Sequence, residues 1–138
     1  MADLMHKAAP AVWDAQKRRV YDDIQHLIIN RLDYSGMFEI MDGLEYNGLT
    51  LYSLVQAENG KPVWSNIYIR NFEIRDNESY VDPNLTDKVL IGEDGMSVFA
   101  YNFTDDCFEI RNKASTDYAI ETHVNFSELL SALIDTVN

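Results

Sequence analysis

Residues 89–111, VLIGEDGMSVFAYNFTDDCFEIR, decide how this chain folds. Val89-Leu90-Ile91 is an apolar run that stops at Gly92-Glu93-Asp94-Gly95, where glycine accepts the positive φ of a turn. From Met96 to Phe103 the chain alternates: Met96, Val98, Ala100 and Asn102 share one side, Ser97, Phe99, Tyr101 and Phe103 the other. Thr104-Asp105-Asp106 makes a second turn. Cys107 to Arg111 resumes with Phe108 and Ile110 facing one way, Glu109 and Arg111 the other. A period of two sustained across two turns predicts an antiparallel three-strand meander at the centre of the domain.

Downstream, Asn112 to Thr116 reads as a turn, and Asp117 to His123 as a further strand through Tyr118 and Ile120. The last helix carries its own start signal. Asn125 is the N-cap, Glu128 three residues on completes a capping-box-like pair, and Val124 with Leu129 can form a hydrophobic staple. Phe126, Leu129, Leu130, Leu133, Ile134 and Val137 make its apolar stripe. Upstream, Asn77 to Leu85 reads as a surface loop. Residues 65–76 fit a strand through Ile67 and Ile69, or a helix capped by Ser65. Glu58 to Pro62 is a loop. Tyr46-Asn47-Gly48-Leu49 predicts a type I′ hairpin, with Leu49 to Leu54 as its second strand. Before it, Ser35 reads as the N-cap of a short helix with Met37, Phe38, Ile40 and Met41, ended by Gly43. Val20, Ile24, Leu27 and Ile28 set an apolar stripe on a helix over residues 15–31, with Asp14 as its N-cap. Residues 1–13 read as a flexible arm broken by Pro10.

The length of 138 residues fits one domain, and 46% apolar residues supply a core. No apolar run approaches the roughly 20 residues that span a bilayer. The first residues lack the apolar core of a secretory signal, and the lone Cys107 reads as a small buried hydrophobe; both point to the cytoplasm. Asp and Glu number 23 against 11 Lys and Arg, a net charge of −12. Such a surface repels nucleic-acid phosphate and anionic lipid and attracts basic proteins. The one basic cluster, Lys17-Arg18-Arg19, reads as a solvated helix face beside Asp22 and Asp23.

Catalytic constellations are absent from the sequence pattern. His6, His26 and His123 lack zinc-ligand spacing. No glycine-rich phosphate loop occurs. The carboxylate pairs Asp22-Asp23, Glu93-Asp94 and Asp105-Asp106 fall on a helix face and two turns, where solvation is ordinary. No enzyme activity, cofactor or metal is expected.

The LIGEDG turn, the aromatic strand VFAYN, the final helix NFSELLSALI (125–134) and DYSGMFEIMDGLEYNGLTLYSL (33–54) together resemble the SUKH superfamily, bacterial relatives of the yeast cell-wall-synthesis regulators, within its YrhA-like branch. The resemblance covers roughly residues 33–134. It implies an α+β fold, a single mainly antiparallel sheet of five to six strands with N-terminal helices and a C-terminal helix packed on it. It also favours the helix over residues 65–76, where Asn71 matches a polar position of the branch.

What it implies for function is an immunity protein that neutralises a cognate bacterial toxin, a basic ribonuclease or deoxyribonuclease, by covering its active site, without contacting nucleic acid or membrane. An acidic inhibitor complements the cationic cleft that a nuclease needs for phosphate. From charge density and turn exposure, the expected contact face holds Glu93, Asp94, Asp105 and Asp106 with Tyr101 as an aromatic anchor. Asp76, Glu78, Asp82, Asp42 and Glu45 extend it. A non-catalytic regulator or scaffold binding another cytosolic partner is the alternative.

Overall fold

The computed structural model describes residues 15–54, 57–58, 61–62, 65–76 and 82–137. The expected arm, the Asp14 cap, His6 and Glu78 lie outside the described residues. Helix α1 (Ala15–Asn30) is followed by the single turn α2 (Leu32–Ser35) and a 3-10 turn at Gly36–Glu39. Strands β1 (Leu44–Tyr46) and β2 (Leu49–Leu51) form a hairpin, and β3 (Ala57–Glu58) with β4 (Lys61–Pro62) a second, small one where the sequence suggests a loop. Then come α3 (Ile67–Asp76), β5 (Lys88–Glu93), β6 (Ser97–Asn102), β7 (Cys107–Asn112), β8 (Glu121–His123) and α4 (Phe126–Val137). The main sheet has six strands in the order β1-β2-β5-β6-β7-β8, antiparallel throughout. This is the expected α+β architecture, with the predicted meander as its centre.

Asn47 and Gly48 take φ of 49° and 85°, as a type I′ turn requires, and pair Tyr46 with Leu49. Gly92 does not end β5. The strand runs through it to Glu93 after a bulge between Leu90 and Gly92. A Cβ at Gly92 would lie 2.4 Å from the Thr50 carbonyl oxygen of β2, so the neighbouring backbone excludes a side chain there.

The meander is buried on both faces. Phe99 pairs with Ile110 and Tyr101 with Phe108 on one face, under the α1 residues Val20, Ile24 and Leu27 and the α4 residues Phe126 and Leu129. Tyr34 joins this layer, its ring 5.1 Å from Phe126 and 6.2 Å from Phe108. Val98, Ala100, Glu109 and Arg111 occupy the other face and are also buried. The turns around Asp82 and Thr116 close over it, Thr116 accepting from Arg111 and donating to Asp82.

Within residues 65–76, Ile67–Asp76 is helical, and the helix has a structural reason. β2 is too short to pair the whole of β5, and α3 covers the remaining edge. The Asn71 side-chain amide accepts from the Leu90 N–H (2.8 Å) and donates to its C=O (2.9 Å), standing in for a strand residue. Arg75 adds a bond to the Lys88 carbonyl (2.6 Å) and an ion pair with Asp23 of α1.

Several local expectations are corrected. The α3 cap is Asn66, whose Oδ1 accepts from Tyr68 and Ile69 N–H, and not Ser65. Ser35 caps nothing, because the chain is already helical from Leu32. Strand β8 is only Glu121–His123; Ile120 still donates its N–H to the Ile110 carbonyl (2.7 Å), but it and Tyr118 lie before the strand and are about half exposed. Asn125 does cap α4 through the Glu128 N–H (2.9 Å). The staple does not form: Val124 is 74% exposed while Leu129 is fully buried.

Candidate interaction surface

The carboxylates expected to share one contact face are dispersed. β6 joins two turns: Glu93 and Asp94 lie at its start, Asp105 and Asp106 past its end. Six extended residues separate the two pairs by roughly 20 Å. Most of these acids also have work inside the fold.

At the β6–β7 turn, Arg31 organises three elements. Its guanidinium donates to Asp33 (3.1 and 2.9 Å), to the Asp106 carboxylate (3.0 Å) and carbonyl, and to the Val124 carbonyl (2.8 Å). It lies 4.8 Å from the Phe108 ring centroid, within cation–π range. Tyr101 is buried, not exposed, and its hydroxyl donates to the same Asp106 oxygen. The expected aromatic anchor is therefore core. Burial and the Asp106 bond push the Tyr101 phenol up to about 12. The Tyr101 and Arg31 hydrogen bonds hold the Asp106 carboxyl below its ordinary value. Asp33 feels burial pulling it upward, but the Arg31 bond and charge and the Phe126 and Tyr34 N–H groups win and lower it.

At the opposite end, Glu93 is not a free turn carboxylate either. It accepts from Tyr52 Oη (2.7 Å) and Lys113 Nζ (2.6 Å) and pairs with Arg70 (3.2 Å). Burial opposes its charge, yet these partners hold its pKa below the ordinary value. Asp94 binds the Met96 and Ser97 N–H groups and shapes the turn. Asp82 accepts from Thr116 and the Asn84 N–H, and Asp105 from Asn102. Asp76 closes α3, and its side chain lies outside the described part.

Asp42 and Glu45 differ: both are exposed, beside and on the edge strand β1. Asp42 accepts from the Leu54 N–H. Among the described residues, no hydrogen bond or ion pair holds the side chain of Glu45 or of Glu39. Sequence reasoning missed Glu39, and it missed Ile40, which is 87% exposed. Tyr46 at the hairpin is 46% exposed. An open depression is lined by Glu45 to Thr50, Tyr46 included.

A buried charged pair was also missed. Glu109 and Arg111 are 3% and 8% exposed and 3.0 Å apart, with Asn102 donating to Glu109 and Thr116 accepting from Arg111. Both Glu109 oxygens are engaged, which suits a structural pair better than a proton carrier. Period two placed these residues on the polar side of β7, and nothing local signalled that the turns would cover them. Among the described residues, no cluster of three or more His, Cys, Asp or Glu is placed to hold a metal, and no helix is long and apolar enough to cross a membrane.

The chain is similar to an uncharacterized protein, YrhA, of Escherichia coli (strain K12), with 32% identity over 88 residues. The match covers 64% of this chain and 62% of the relative, so the chain spans about three-fifths of that protein's length. No protein-family model matches the chain, and no solved structure matches it.

Proposed function

We propose that the chain is a SUKH-type immunity protein of the cytoplasm that binds and neutralises a basic bacterial toxin domain, a ribonuclease or deoxyribonuclease. One observation carries this reading. Every basic side chain seen from Arg31 to Lys113 is tied to a carboxylate of the same fold: Arg31, Arg70, Arg75, Lys88, Arg111 and Lys113. Carboxylates remain over. Asp22, Glu39, Glu45, Asp105, Glu128 and Asp135 stand exposed. The negative field therefore faces outward, and it favours a cationic partner over phosphate or anionic lipid.

Covering a toxin requires a rigid surface and no chemistry from the inhibitor. The sheet, with helices and turns over its two faces, provides such a surface. The test is co-expression with the toxin domain encoded by the neighbouring gene, followed by calorimetry on the purified pair. A stoichiometric complex, growth rescue and an affinity that falls with salt are expected. Absence of both rescue and binding would sink the reading and leave the regulator alternative.

A further inference from the structure

We propose that the toxin docks on the β1 edge of the sheet, over Glu39–Tyr46, through a basic partner segment that lies alongside β1 and buries Ile40. This placement rests on the immunity reading and names its surface. Three independent features fall within this one stretch of chain, which leads into β1. First, β1 is the terminal strand of the sheet order, with no strand on its outer side among the described residues. The pair closing a two-residue hairpin, Tyr46 with Leu49, is hydrogen-bonded, so at the next position, Glu45 opposite Thr50, the Glu45 N–H and C=O point away from β2. They are available to an added strand.

Second, Ile40 is the most exposed large apolar side chain described, at 87%, and Tyr46 is half-exposed in the same segment. An aliphatic and an aromatic group set among polar neighbours are the usual composition of an interface centre. Third, the charges of this segment are all of one sign. Glu39, Asp42 and Glu45 are exposed, and residues 36–54 contain no Lys or Arg. A partner with lysine or arginine around an apolar pocket fits, whereas a second copy of this chain would meet like charge.

A competing role for Glu45 is protection of the edge against self-association, since an outward charge blunts a free strand. The two roles separate experimentally. The probe is the recombinant toxin domain encoded beside this chain's gene, titrated into wild type, a Glu39→Lys/Glu45→Lys variant, an Ile40→Ala variant, and a Glu128→Lys/Asp135→Lys control with the same charge change on α4. Circular dichroism confirms that each is folded. Both β1-side variants are expected to lose at least tenfold in affinity, and the α4 control less than threefold. The Leu44–Tyr46 amides should gain hydrogen-exchange protection in the complex.

Equal losses in control and edge variants, or no protection at β1, would overturn the placement while leaving the immunity reading intact. Edge variants that self-associate but bind the toxin normally would assign Glu45 the protective role and overturn it as well. A toxin that fails to bind wild type overturns the immunity reading itself, and the placement with it.

Discussion

At the β6–β7 turn, Asp106 sits within hydrogen-bonding reach of Arg31 and Tyr101. Along Glu39–Tyr46, exposed Glu39 and Glu45 have no cation of their own segment beside them. The side chains are of one kind and both groups lie at the periphery of the sheet. What separates them is whether another part of the chain supplies a positive partner. A carboxylate held by an internal cation belongs to the fold, and reversing its charge perturbs folding before binding can be read. One left to solvent can be altered freely, and only such a residue reports on a partner. A charge reversal at Asp105 and Asp106, attractive from the sequence, would mix the two effects.

Glu109 is the extreme of the first kind and gives the strongest way to break the comparison. Glu109→Ala leaves Arg111 in the interior without its carboxylate, and the loss should be about 3–5 kcal/mol. Urea unfolding measures it; a loss under about 1 kcal/mol would mean that water or a neighbour readily replaces the pair. Next in size is Arg31→Met. It removes the bonds to Asp33, Asp106 and Val124 and the contact with Phe108, for an expected cost of about 2 kcal/mol. Exposure of Asp106, at 68%, keeps that figure below the cost at Glu109.

The same distinction explains what could be read from sequence. Alternation in β6 and β7, the Asn47-Gly48 turn and the Asn125 cap are local signals, and each formed as its chemistry dictates. The partners of the carboxylates are long-range: Arg31 lies 75 positions from Asp106, and Arg70 is in a different element from Glu93. No pattern of spacing announces such pairs. Tyr101 was misjudged for the same reason, because its exposure depends on α1 and α4 covering the sheet. For residues 67–76 the pattern left strand and helix both open and only the resemblance chose helix, since Asn71 and Arg75 serve a strand edge that the segment itself does not encode.

Acid titration gives a smaller but more selective test. Asp33 and Glu93 have native pKa values below their ordinary ones of 3.8 and 4.5. Their contribution is therefore complete above the ordinary values and is lost as pH falls through the lowered native ones, where the unfolded chain binds protons more readily. The urea midpoint should decline below about pH 4. In Arg31→Met the share of Asp33 and Asp106 should shrink to what Tyr101 and the Phe126 and Tyr34 N–H groups still supply, and that of Glu93, held by Lys113, Tyr52 and Arg70, should persist. An acid limb of unchanged slope in the variant would show that Arg31 does not set these values.

The smallest expected effect is the one on which the interaction surface depends. Glu39→Gln and Glu45→Gln remove charge from exposed positions with no cation paired to them among the described residues, so each should shift stability by less than about 0.5 kcal/mol. Removing like charges from an acidic segment also relieves repulsion among Glu39, Asp42 and Glu45, so the sign of the change should be neutral to stabilising. Thermal melts at low and high salt measure this. The small difference between variant and wild type should shrink further as salt screens the segment. A clear loss of stability at either position would reveal a fold-internal partner, move that carboxylate into the class of Asp106, and remove it from the proposed docking edge.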